Sequence, residues 1–240
     1  MSRGGGRSGS GHGSMLTSNP MQRLVIFGAG DIAALAAFYF ETDSHCQVAA
    51  FTVDKAFLAA PSFMDRPVVA FEELARHYPP DRYNLFVALS YAKLNRVRAE
   101  RCEAARALGY RLASYVSSRA TTFSDLSHGD NCFILEDNTI QPFARIGRNV
   151  TLWSGNHIGH HSVIEDDTFV ASHVVVSGGV TIGQGCFIGV NATLRDHVKI
   201  GRECVIGAGA LVLEDQAEHG VIAPRGTERS LVPSTRLRRI

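Results

Sequence analysis

Five histidines fall close together in this 240-residue chain: His157, His160, His161, His173 and His197. Imidazole gains and loses its proton near neutral pH and is a common zinc ligand, so the group offers acid–base chemistry or a metal site. Towards the other end, the apolar run Arg23–Phe27 ends in Gly28-Ala29-Gly30 and leads into the Ala-rich stretch Ile32–Phe40. A glycine turn between a strand and a helix lets backbone N–H groups approach a phosphate. The pattern is GxGxxA, with Ala33 in the third place, and Asp54 closes the next strand candidate where an acid could meet a ribose hydroxyl. Residues 21–116 make a small sheet for a redox dinucleotide and suit a single nucleotide moiety better.

The elements that would position these groups differ between the two halves. In residues 21–116 the strand candidates Arg23–Phe27, Gln47–Val53, Asn84–Leu89 and Tyr110–Tyr115 alternate with the helical stretches Ile32–Phe40, Phe71–Tyr78 and Tyr91–Leu108. That alternation predicts an α/β domain, a small Rossmann-like parallel sheet covered by helices. From residue 132 the period becomes six. Ile134, Ile140, Ile146, Leu152, Ile158, Ile164, Val170, Val176, Ile182, Ile188, Leu194, Ile200, Ile206 and Val212 stand six apart without a break. The residue two before each is small or β-branched in most repeats, and Gly follows six of them. Such a period predicts short strands joined by tight turns, three strands to a coil of eighteen residues, with coils stacked at about 4.8 Å. The result is a parallel β-helix of nearly five coils. The expected division is a flexible Gly/Ser tail at 1–20, the α/β domain at 21–116, the β-helix at 117–224 and a basic tail at 225–240.

Stacking then decides among the histidine chemistries. His161 and His197 share a column but lie two coils apart, about 9.6 Å, too far to ligate one ion directly, so no metal is expected. His160 sits two residues after Ile158, at a corner outside the aliphatic interior, and suits a general base. Gly178 and Gly179 fall directly above His160 and His161, which would leave space beside the imidazole for a ligand. A backbone N–H of that turn is a candidate oxyanion donor. His157, on a flat face, is a second candidate base. Cys132, Cys186 and Cys204 share a column in the small interior slot, where free Cys packs as a small apolar residue.

Composition excludes several classes. An apolar fraction of 45% with 20% charged residues describes a folded chain rather than a disordered one. A formal net charge of +1 argues against a dedicated nucleic-acid binder, although both ends are basic and the middle is net acidic. No apolar run is long enough for a membrane span, and the first twenty residues lack the apolar core of a secretory signal. Five widely spaced cysteines fit reduced thiols, so a cytoplasmic location is expected.

The order of parts resembles the hexapeptide-repeat (left-handed β-helix) sugar acyltransferases, in the branch of sialic-acid O-acetyltransferase and the N-acetyltransferases of nucleotide-linked amino sugars. The resemblance covers residues 22–226 and is carried by the β-helix register, Phe27–Gly30, Val53-Asp54, Leu85–Ser90 and Gly159–Ser162. It implies a homotrimer that takes acetyl-CoA on the β-helix near a subunit interface and a nucleotide-linked sugar on the N-terminal domain. The family's catalytic base falls on His160. The next position, usually acidic and orienting the imidazole, is His161 here, and the Glu that precedes the base in several relatives is Gly159. Asp137, Asp166 or Asp196 could supply the orienting acid instead. The implied CoA contacts fall near Val190 and Ala208, and one that is a His in some relatives falls on Phe169. Arg225 and Arg229 either meet CoA phosphates or belong to a solvated basic tail. Nucleotide contacts carry over to Gly28, Ala29, Gly30, Asp54 and Ser90, the last replacing a common Gly. The expected activity is N-acetyl transfer. Sugar O-acetyl transfer, a non-catalytic nucleotide-binding β-helix protein and an NAD-linked redox enzyme are the alternatives.

Overall fold

The computed structural model of the chain describes residues 21–236; the expected tail at 1–20 lies outside them, as do residues 237–240. Strands β1 (Gln22–Phe27), β2 (Cys46–Val53), β3 (Ser62–Phe63), β4 (Arg66–Ala70) and β5 (Asn84–Val87) form one sheet in the order β3-β4-β2-β1-β5. Every pairing is parallel except β3 with β4. The alternation within β1 explains its continuous apolar sequence, because both faces of the strand are covered. Leu24 and Ile26 join Ala33, Ala36 and Ala37 of helix α1 (Asp31–Thr42), while Val25 and Phe27 join Cys102 and Ala105 of a later helix, Arg96–Ala107.

Three sequence expectations shift here. Strand β4, RPVVA, has too few apolar residues to announce itself. The helical stretch Phe71–Tyr78 reduces to a 3-10 turn and a single α-turn, α2 (Leu74–His77), since the residue before Pro79 disfavours helix. The stretch from Tyr91 becomes helical only at Arg96, where α3 (Arg96–Ala107) starts, because Lys93, Leu94 and Asn95 hold φ values of 50°, 52° and 63°. Tyr110–Tyr115 also divides. Leu112 bridges Leu85 at the sheet edge, whereas Tyr115–Val116 is already the first strand of the β-helix.

From there, two-residue strands build three parallel sheets of seven, five and five strands, a left-handed parallel β-helix. The first face contains Phe133–Ile134, Thr151–Leu152, Phe169–Val170 and Phe187–Ile188; the second, Thr139–Ile140, His157–Ile158 and Val175–Val176; the third, Arg145–Ile146, Val163–Ile164 and Thr181–Ile182. Register advances by eighteen residues at each step, Thr151 on Phe169 and Phe169 on Phe187, until the last coil pairs Val205 with Val221. The aliphatic column and Cys132, Cys186 and Cys204 are buried inside. Burial pushes the Cys186 thiol up to about 12. Asn138 and Asn156 occupy interior slots where the pattern wants small residues. Backbone bonds compensate fully at Asn156, whose Oδ1 accepts from Val174 N–H (2.8 Å) and whose Nδ2 donates to Trp153 O. At Asn138 they compensate by half: Nδ2 donates to Leu135 O (2.9 Å), while the buried Oδ1 has no partner among the described residues.

The N-terminal domain sits on the first face and the two corners beside it. Arg98 of α3, 1% exposed, donates from Nε to Asn149 Oδ1 (2.9 Å) and from Nη2 to the Asn149 carbonyl (3.0 Å). Asn131 exchanges hydrogen bonds with the Val87 backbone, accepting at 2.8 Å and donating at 3.3 Å. At the other corner, Asp43 accepts from Ser118 N–H (2.8 Å) and the Tyr115 hydroxyl (2.7 Å). The bonds from Ser118 and then Tyr115 hold its carboxyl down at about 2. A depressed carboxylate contributes its stabilisation above its ordinary titration range near 4 and loses it as pH falls towards 2. Asp43→Asn is therefore expected to cost about 1 kcal/mol at pH 7, discounted for partial exposure, and the gap from wild type should close on acidification. Urea unfolding at a series of pH values measures this. Among the described residues, no helix is long and apolar enough to cross a membrane.

Candidate active site

His160 stands at the corner between the second and third faces, with its ring exposed. Its backbone N–H donates to Gln141 Oε1 (2.9 Å), and its Nδ1 lies 3.1 Å from Nδ1 of His161. One of those nitrogens donates and the other accepts. When His161 accepts, the proton of His160 rests on Nδ1 and the Nε2 lone pair is left to act as a base. His161 is itself held in place. Its backbone is in the left-handed region (φ 59°), the conformation shared by the third residue after each interior aliphatic from Asp137 to Gly209. Its ring lies against Phe143, with centroids 4.8 Å apart.

The acids considered as orienting partners serve elsewhere or make no such bond. Asp166 binds Arg148 (2.8 Å), Asp196 Oδ1 accepts from Gly178 N–H (2.8 Å), and Asp137 hydrogen-bonds neither imidazole. The partner of His160 is the neighbouring imidazole. His157 is half-buried on the second face, in register with Thr139 and Val175. Among the described residues, no three His, Cys, Asp or Glu side chains are grouped to hold a metal ion.

The reading of Gly178 and Gly179 as open space needs correction. A Cβ on Gly178 would lie 2.7 Å from His160 Cε1 and 2.8 Å from Nε2, so the catalytic candidate itself fills that vacancy. The ring of His197 fills the one at Gly179. Neither N–H is free to receive an oxyanion, because Gly178 donates to Asp196 and Gly179 donates to the His160 carbonyl (2.8 Å). These glycines seat imidazoles; they form no passage.

The glycine turn lies where the sheet reverses direction. The chain leaves β1 for β2 on one side, and β5 flanks β1 on the other, so their C-terminal ends open a crevice. Gly28 has φ +125°, and a Cβ there would meet the Ala88 carbonyl at 2.9 Å, so only glycine lets the two loops close up. Gly30 precedes α1, and nothing lies within 4 Å of where its Cβ would be, leaving the helix's free N–H groups approachable. Gly28, Ala29 and Asp54 line a cavity of about 180 Å³ together with Leu89, whereas Gly30 and Ser90 are not part of its lining. Asp54 is not a free acid: Arg101 Nη1 lies 3.2 Å from its Oδ1. Arg101 escaped the sequence reading because it is one of several arginines on α3 and no local pattern sets it apart. A larger cleft, about 660 Å³, lies at the opposite end of β1 and β5 among Arg23, Tyr83 and Arg111, away from the glycine turn.

The family model for bacterial transferase hexapeptide (six repeats) matches residues 143–178, 161–196 and 179–214. The three matches together span residues 143–214, within the stretch of six-residue period. No curated protein sequence matches the chain. Among solved structures, the acetyltransferase domain of PglB from Neisseria gonorrhoeae superposes with a TM-score of 0.73 at 21% identity, covering 85% of this chain and 97% of that one. PerB from Caulobacter crescentus, in complex with CoA and GDP-perosamine, gives 0.73 at 23% identity over 85% and 95%. WeeI from Acinetobacter baumannii gives 0.66 at 17% identity over 85% and 97%. At these identities the likeness establishes a shared fold.

The hexapeptide coils also place the remaining candidates. Val190 and Ala208 stack eighteen residues apart at the corner between the first and second faces. Phe169 is only 4% exposed, stacked on Phe187 (5.7 Å) and capped by Tyr91 (5.0 Å), so it joins the two domains. Arg225 and Arg229 are exposed. In a triangular prism the corner of His160 is the one opposite the first face, which the N-terminal domain covers. One copy of the chain therefore does not bring the glycine turn and His160 together.

Proposed function

We propose that the chain is an acetyl-CoA-dependent N-acetyltransferase acting on a nucleotide-linked amino sugar. The observation that carries this reading is the exposed His160 at a hexapeptide corner, with one ring nitrogen bonded to His161 and Nε2 left to accept a proton. Support comes from relatives of the same fold: the PglB domain is known in complex with acetyl coenzyme A, and PerB with CoA and GDP-perosamine. His160 Nε2 takes a proton from the sugar amine as its nitrogen bonds to the acetyl carbonyl. The C–S bond then breaks, and the proton passes to the departing thiolate, returning His160 to its neutral state. Cys186 and Cys204 face the interior, so no thiol stands at the corner to carry the acetyl group, in keeping with direct transfer.

A homotrimer completes the site. Val175 and Leu211, 39% and 64% exposed on the second face, stand near Val190 as an apolar surface for a second copy to cover. Such packing sets His160 of one subunit against the crevice of the next, the meeting that one chain alone prevents. Sedimentation should show three copies; a monomer that still turns over would contradict the shared site. The unpaired thiols fit a cytoplasmic enzyme.

CoA release from acetyl-CoA is the direct test, with UDP-, dTDP- and GDP-linked amino sugars and their hydroxyl counterparts as acceptors. Turnover confined to an amino sugar supports the reading. Turnover confined to hydroxyl sugars replaces it with O-acetyl transfer, and failure to bind acetyl-CoA at all overturns it. Gly178→Ala gives a further check. The backbone at Gly178 is not in the left-handed region, but the added methyl must displace the His160 ring. The variant should keep a near-normal melting temperature and lose about tenfold or more in kcat.

A further inference from the structure

The crevice beside Gly28 and Ala29 carries chemistry that selects among nucleobases, an inference that rests on the nucleotide-sugar reading above. Its cavity of about 180 Å³ has room for one heterocycle, and the walls from Phe27, Val53, Leu89 and Val97 are apolar. Two charged groups interrupt those walls. Arg101 Nη1 lies 3.2 Å from Asp54 Oδ1, yet Arg101 Nε is buried without any hydrogen-bond partner. A buried guanidinium N–H that lacks an acceptor is uncommon in a folded protein and calls for an explanation. The Asp54 carboxylate likewise receives no hydrogen bond from a backbone N–H among the described residues, although its side chain is only 20% exposed. Phe57, 74% exposed, lines the same cavity and leaves an aromatic face uncovered.

We infer that this crevice binds guanine, with Asp54 and Arg101 reading the base edge and Phe57 lying against its face. The pairing follows from the order of groups. Along its Watson–Crick edge guanine presents an acceptor, O6, followed by two donors, N1–H and the 2-amino group. Arg101 and Asp54 present the complement, a donor followed by the two acceptors of a carboxylate. Uracil and thymine offer acceptor, donor, acceptor, which sets O2 against the second carboxylate oxygen. Adenine and cytosine turn a ring-nitrogen lone pair towards the carboxylate. Stacking on Phe57 adds affinity for any base and discriminates little.

The test is calorimetric titration of the full chain with GDP, IDP, XDP, UDP, dTDP and ADP. GDP should bind about tenfold or more tighter than UDP, dTDP or ADP, and tighter than IDP, which lacks the 2-amino donor. Asp54→Asn replaces one acceptor by a donor. It should therefore prefer XDP, which carries an oxygen in place of the 2-amino group, over GDP, a reversal that a purely structural role for Asp54 would not produce. Should that variant fail to fold, the wild-type order of GDP, IDP and UDP decides the matter. Equal binding of UDP and GDP, or of IDP and GDP, overturns the base assignment and leaves the nucleotide-sugar reading standing. Binding of no nucleoside diphosphate overturns both.

Discussion

His160→Ala is expected to lower kcat/KM for acetyl transfer by about 10²–10⁴-fold while acetyl-CoA affinity stays near the wild-type value. The size of the effect follows from what the side chain does and from what it does not do. Its ring is exposed and its hydrogen bond is to His161, so removing it leaves no buried group unsatisfied and little stability is at stake. What disappears is the acceptor for the amine proton. His161 acts one step back, as a positioning residue. His161→Ala should reduce kcat while leaving KM nearly unchanged, because His160 keeps its place but loses the partner that fixes its tautomer. Asp at that position accepts from Nδ1–H and tolerates left-handed backbone, so His161→Asp should restore most of the rate. A structural role alone would not show that rescue. If His160→Ala retained full turnover, the base would have to be sought elsewhere, with His157 the next residue to replace.

The β-helix was readable in advance because its interior enforces a period that aliphatic residues alone can satisfy. Column arithmetic placed His160 at a corner and Cys186 beneath Cys204, and pairing in steps of eighteen bears this out. The same arithmetic gave positions without rotamers. It set Gly178 over His160 but could not say that the imidazole swings into the gap, nor that His161 would supply its hydrogen-bond partner. In the α/β domain the difficulty was different. Strand β4 is short, and the left-handed run Lys93–Asn95 contains no glycine to announce it. Four arginines of α3 meet separate fates: Arg96 pairs with Glu203 on the surface, Arg98 is buried, Arg101 reaches Asp54, and Arg106 holds Asp130. Only what packs against each decides between them, and that information lies far away in sequence.

Arg98→Ala is expected to destabilise the protein by about 3–5 kcal/mol, the loss typical of breaking a buried charged network. Burial pulls its guanidinium down to about 10, so it remains cationic at neutral pH, and among the described residues no carboxylate pairs with it directly. The charge is instead met by Asn149, which offers both its side-chain and main-chain oxygens, and by the face of Phe169, 5.8 Å from the guanidinium carbon. Asn149 in turn donates to Asp167 (2.8 Å), which places a negative charge one bond further out. Truncation to Ala leaves the Asn149 carbonyl dry and unpaired, takes from its Oδ1 one of two donors (Asn131 Nδ2 remains, at 2.9 Å) and opens a void beside Phe169. Arg98→Met should recover part of the packing but none of the hydrogen bonds, and Arg98→Lys cannot reach both oxygens with one ammonium. Calorimetry distinguishes the consequences. Because this network joins α3 to the first face of the β-helix, its loss should lower the melting temperature and separate the N-terminal domain's unfolding from that of the coils. A single transition at the wild-type temperature would show that the contact does not hold the domains together. The Leu89 carbonyl, which Arg98 Nη1 approaches at 3.5 Å, belongs to a residue lining the base cavity. Weakened nucleotide binding should therefore accompany the lost stability, tying the placement of substrate to the Arg98 guanidinium buried between the domains.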